Sequence, residues 1–156
     1  MRLRALLAAM LVALAVTGCG QSSAHRRALR LDGVPLVDGA RVVAQARSCD
    51  RGTRAYCSLQ LVVVGSGFHS ATDLLNAEEA RLRTLGWTST QGDTPKERSA
   101  DSPGHRLRLS LALAQDDLLS WDQTQAHRRP PIARALARTM FERTPALSLM
   151  LQTGSS

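Results

Sequence analysis

The nine residues from Tyr56 to Val64 constrain the fold more than any other stretch of this chain. Leu59, Leu61 and Val63 alternate with Ser58, Gln60 and Val62, and Val64 then follows. Successive side chains of a strand point to opposite faces, so the alternation marks a strand. Being apolar on both sides at its end, it is expected to lie centrally in a sheet. Gly65-Ser66-Gly67 ends it. A helix is expected next. Ser70 is placed to cap it, with Asp73 three residues on as a weak capping box. Ala71, Leu74, Leu75, Leu82 and Leu85 share one face, Glu79 and Arg83 form an i,i+4 pair outside, and Gly86 stands where a C-terminal cap belongs.

The other elements follow from the same two periods. Arg41–Ala46 reads as a first strand and Trp87–Gln91 as a short one. Gly92–Gly104, polar and carrying Pro95 and Pro103, reads as a surface loop. From His105 to Gln115, Leu107, Leu109, Leu111 and Leu113 lie on one face; Arg106, Arg108, Ser110, Ala112 and Ala114 lie on the other. Asp116–Asp122 reads as a helical turn. After Arg128-Arg129-Pro130-Pro131, a helix is expected with Ile132, Ala133, Leu136, Ala137, Met140 and Phe141 as its apolar stripe, ended by Pro145. Ala146–Gln152 alternates again and reads as the last strand. From Tyr56 onward the order is strand, helix, strand, strand, helix, strand. The expected class is therefore α+β: a ferredoxin-like split βαβ fold, an antiparallel sheet with two helices on one face, and an extra N-terminal strand.

The N-terminus speaks about address. Arg2 and Arg4 precede twelve apolar residues, Ala5 to Val16, which is the form of an export signal and too short to span a bilayer. Val16-Thr17-Gly18-Cys19 resembles the lipobox of bacterial lipoproteins. That resemblance implies diacylglyceryl (palmitate-type) modification of the Cys19 thiol and cleavage before it, leaving a protein held extracytoplasmically on a cell membrane or outer envelope. The expected organisation is a signal peptide over 1–18, a lipid-anchored tether over 19–36 and one domain over 37–156. The body also resembles uncharacterised envelope lipoproteins of high-GC bacteria in Cys49-Asp50-Arg51-Gly52, Tyr56-Cys57, Leu85-Gly86-Trp87, Asp101-Ser102-Pro103-Gly104-His105 and Ser148-Leu149-Met150-Leu151. This second resemblance implies no activity.

Once Cys19 is assigned to lipid, Cys49 and Cys57 remain, and an exported, oxidising setting favours a disulfide between them. It would staple two arms of a hairpin. Of the 20 Lys and Arg residues only Lys96 is lysine, against 13 Asp and Glu, which fits a basic surface beside an anionic membrane. The arginines are spread along the chain without an aromatic stacking platform, so nucleic acid is not an expected partner.

Signals for chemistry are sparse. His25, His69, His105 and His127 show no helical metal-ligand spacing, and neither a metal nor another cofactor is expected. Gly65-Ser66-Gly67 lacks the Lys and spacing of a phosphate loop. Glu78 falls on the apolar stripe of its helix, between Leu74 and Leu82. Its simple reading is a stripe-edge side chain reaching water or Arg81; the sharper one is a carboxylate facing a pocket. Asp116-Asp117 reads as a turn or cap before it reads as an acid–base pair. The leading expectation is a non-enzymatic envelope module binding a protein, lipid or cell-wall component, with Arg106, Arg108 and Glu78 as candidate surface residues. The alternative is a small envelope hydrolase using Glu78 or Asp116/Asp117 with a nearby His.

Overall fold

The computed structural model describes residues 29, 31–49, 57–90, 94–119 and 129–153. Cys19 and the tether ahead of Leu29 lie outside them. After a short 3-10 turn at Leu31–Gly33 come β1 (Ala40–Cys49), β2 (Cys57–Gly65), α1 (Ala71–Thr84), β3 (Thr88–Ser89), β4 (Glu97–Asp101), β5 (Leu107–Leu113), α2 (Ala114–Leu119), α3 (Pro130–Phe141) and β6 (Ala146–Thr153). The protein is α+β, built on one six-stranded antiparallel sheet in the order β1-β2-β6-β5-β4-β3.

Leucine and valine register fixes the middle of that sheet. Leu59, Leu151 and Leu109 stand side by side across β2, β6 and β5; Leu61, Leu149 and Leu111 form the next row, and Val63, Leu147 and Leu113 the third. Cross-strand rows of this kind are the stabilising unit of a sheet. The face they make is covered by Leu74, Leu75 and Leu82 of α1, all buried. The helix starts where Ser70 Oγ accepts the Asp73 N–H at 3.0 Å, and it stops at Gly86, whose φ of +78° suits a residue without a Cβ. Gly65 has a different reason to be glycine. A Cβ there would come within 2.5 Å of the Phe68 ring and 2.9 Å of Leu74, so the end of β2 is closed by packing.

The expected architecture needs correction in several places. The helices do not share one face. α3 packs on the opposite face, where Ile132 and Leu136 meet Val62, Val64 and Ala146. The two-sided apolar end of β2 is thus the half that carries a helix on each side. β4 occupies the segment read as a loop. Glu97-Arg98-Ser99-Ala100-Asp101 buries only Ala100 and has no apolar alternation to detect; it is a strand because it pairs with β5, Asp101 opposite Arg108 and Ala100 opposite Leu109. β3, β4, β5 and β6 then lie as consecutive neighbours, so three strands separate β2 from β3 where a split βαβ unit has one. β5 ends at Leu113, and Ala114 already belongs to α2. α3 is rotated from its expected stripe, burying Ile132, Leu136 and Thr139 and leaving Ala137 and Phe141 exposed. Leu29 and Val34, read as tether, are buried in the α1-side core.

Among the described residues the buried side chains run from Leu29 to Leu151. The first hairpin is closed covalently. Cys49 and Cys57 are direct cross-strand partners, with Cα atoms 4.1 Å apart, and form a disulfide. Replacing both with serine should lower the unfolding free energy by about 2–3 kcal/mol, mainly by freeing the unfolded chain. Denaturant titration of oxidised wild type against C49S/C57S measures this, and equal midpoints would rule it out.

Candidate functional site

Glu78 is the most perturbed carboxyl group described. It is 1% exposed on α1, and both its oxygens face one donor: the Val37 N–H, at 3.0 and 3.1 Å. Neither sequence reading anticipated this role. The carboxylate neither reaches water nor pairs closely with Arg81; it ties the segment entering β1 down onto α1. Burial pushes its pKa up to about 7, against the opposing pull of the Val37 hydrogen bond and the more distant charge of Arg81. Sequence periodicity could place Glu78 on the stripe. It could not supply Val37, which is 41 residues away.

The remaining sequence candidates are dispersed. Arg106 is exposed in the turn before β5. Arg108 lies on the face away from Glu78 and grips Asp101 through Nε at 2.8 Å and Nη2 at 3.0 Å. His105 Nδ1 stands 3.6 Å from the same carboxylate, and the Arg108 hydrogen bond is the main reason the Asp101 pKa is lowered. Arg106, Arg108 and Glu78 therefore form no common surface. Asp116 is engaged by Lys96 Nζ at 2.6 Å; Asp117 is its neighbour on α2. His69 lines an end cleft of about 470 Å³ beside Ser70, Gln115 and Arg143. His25 and His127 lie outside the described residues.

A larger concavity was not foreseen. Between β1 and α3 runs an open groove of about 670 Å³. Ala44, Val64 and Ala135 give it an apolar floor, with Arg41 on the β1 side and Arg134 and Arg138 on the α3 side. Its one acidic lining residue, Glu142, receives the Arg138 Nε hydrogen bond at 2.8 Å. Arg134 makes only a long bond to its own helix, Nε to the Pro130 carbonyl at 3.3 Å, and among the described residues Arg41 and Arg134 have no ion-pair partner. Two local features open the groove. The register of β1 slips between Val42 and Ala44, which leaves Val43 unpaired at the rim. Arg129, at the start of α3, bonds Ser48 Oγ at 3.2 Å and holds the helix beside the strand. The sequence signal was present in part: Arg134 and Arg138 lay off the expected stripe. Pairing them with Arg41 requires the packing of α3 on the β1 side of the sheet.

No protein-family model, curated protein or solved structure matches this chain. Among the described residues no helix is long and apolar enough to cross a membrane, and no cluster of three His, Cys, Asp or Glu side chains is arranged to hold a metal ion.

Glu78 gives a pH dependence with a definite sign. Its folded pKa lies above its unfolded value of 4.5, so the folded state holds the proton more tightly. The stability this provides is complete below pH 4.5 and is lost as pH rises through about 7. At about 1.4 kcal/mol per pKa unit the full loss is roughly 3–4 kcal/mol. Thermal melts should show wild type weakening between pH 5 and pH 8 and Glu78→Gln losing most of that slope; parallel profiles would refute the assignment.

Proposed function

We propose that this protein is a lipid-anchored module of the cell envelope that binds an anionic group in the β1–α3 groove and carries out no chemistry on it. The observation carrying the binding half is the pairing of an apolar floor with Arg41, Arg134 and Arg138 in one concavity of about 670 Å³. Ligand sites combine a mostly apolar lining with a few convergent polar groups in this way. A guanidinium presents donors in a fork that matches phosphate or carboxylate oxygens, and an arginine not already paired has that fork free. The shared ligand chemistry is thus a phosphate or carboxylate joined to an apolar body.

The anchoring half rests on Val16-Thr17-Gly18-Cys19 after a charged and then apolar leader. Lipid on Cys19 would hold the domain on the extracytoplasmic side of a membrane. The Cys49–Cys57 disulfide suits that oxidising setting. The hydrolase reading has less to stand on. Glu78 spends both carboxylate oxygens on Val37, and Asp116 is held by Lys96.

Both halves are testable. In cells fed labelled palmitate, wild type should take up label and Cys19→Ser should not; label persisting in the variant would defeat the anchor. For the groove, titrating sn-glycerol 1-phosphate should shift backbone amide resonances around residues 41–44 and 132–139. R41Q/R134Q should abolish those shifts while melting like wild type, because both side chains are on the surface. Shifts concentrated elsewhere, or none, would defeat the groove.

A further inference from the structure

The class of partner for this groove can be narrowed by the side chain standing just outside it, an inference that rests on the anionic-groove reading. Phe141 is 91% exposed, although the chain has only five aromatic residues to spend. It does not line the groove. It continues an outward stripe of α3 in which Pro130, Arg134, Ala137 and Phe141 follow one another at spacings of four, three and four residues. Residues so spaced share a helix face, and this one is turned away from buried Ile132 and Leu136.

Charge is distributed to match. From Arg129 to Arg143 the chain has four arginines and one glutamate, Glu142. α1, on the opposite side of the sheet, has Asp73, Glu78 and Glu79 against Arg81 and Arg83. Of these two helical regions, the positive one is the one that exposes the aromatic ring. An acidic polypeptide lying in the groove would use the arginines and leave Phe141 in water. An anionic bilayer uses both, because arginines find lipid phosphates while an aromatic ring settles at the headgroup boundary.

We propose that α3 lies on an anionic membrane surface, with Phe141 at the headgroup–acyl boundary and Arg41, Arg134 and Arg138 on lipid phosphates. The tether permits this. Leu29 is ten positions along the chain from Cys19, a separation that can span at most about 33–36 Å.

The test uses the chain beginning at Gly20, which has no Cys19 and retains every buried side chain among the described residues. It should co-sediment with vesicles of phosphatidylglycerol mixed with phosphatidylcholine and not with phosphatidylcholine alone. High salt should weaken the binding. Phe141→Ser should reduce affinity about tenfold by removing the inserted ring. R134Q/R138Q should reduce it about thirtyfold, as expected for two basic residues near a charged surface. Both variants alter exposed positions, so their melting should match wild type. Failure to bind phosphatidylglycerol vesicles, with sn-glycerol 1-phosphate still perturbing the groove, overturns the bilayer proposal and leaves the groove reading standing. Failure with both probes overturns the two together. Vesicle binding that Phe141→Ser leaves unchanged overturns the placement of α3. The Cys19 labelling experiment is independent of all three outcomes.

Discussion

Val62 and Val64 point away from Leu61 and Val63 on the same strand, and all four side chains are excluded from water. The architecture depends on this arrangement within β2. On one side the strand contributes to the leucine rows under α1; on the other it supplies the surface on which Ile132 and Leu136 of α3 rest. Each core removes from water what the other leaves uncovered, and apolar area so removed contributes about 25 cal/mol per Å². The first half of β2 carries Ser58 and Gln60 in place of valines on the α3 side. α3 accordingly packs where β2 is apolar on both faces.

The sequence disclosed what depends on neighbours along the chain. Ser70, Asp73 and Gly86 marked both ends of α1, because caps are made by residues within a turn of the helix end. Alternating leucines disclosed β5, and alternation that gave way to valines disclosed β2 as an interior strand, although it lies second from the edge and not at the centre. β4 was hidden because Glu97–Asp101 carries little apolar pattern of its own and is a strand by virtue of its partners. The rotation of α3 was hidden because Leu136–Ala137 and Met140–Phe141 present two overlapping apolar stripes. Only the sheet decides between them, and it selects Ile132, Leu136 and Thr139. The site was harder to read than the fold for the same reason. Arg41 is more than 90 residues from Arg134, and Val37 is 41 from Glu78, so neither association leaves a local signal.

Ionic pairing divides the surface. Glu79 is shared by Arg83 at 2.6 Å and Arg98 at 3.1 Å, Asp101 is held by Arg108, and Lys96 takes Asp116. Such pairs near the surface contribute little stability singly, but each consumes a cation. They gather around β4 and β5. Arg41 and Arg134, on the two sides of the β1–α3 groove, stand beyond their reach. A carboxylate confined as Glu78 is works in the opposite direction, spending stability at neutral pH to hold the entry to β1 against α1.

The two ends of the sheet bear on how the molecule behaves in company. A long, flat outer strand invites the same strand of a neighbour to pair with it. β3 is only two residues long and offers little to pair with. β1 is long, but the slip at Val43 interrupts its ladder and Arg41 and Arg47 place charge along it. Two copies brought together at β1 would set arginine near arginine across a broken register. The irregularity beside the groove thus also interrupts the long edge of the described sheet, the edge that a further strand would have to extend.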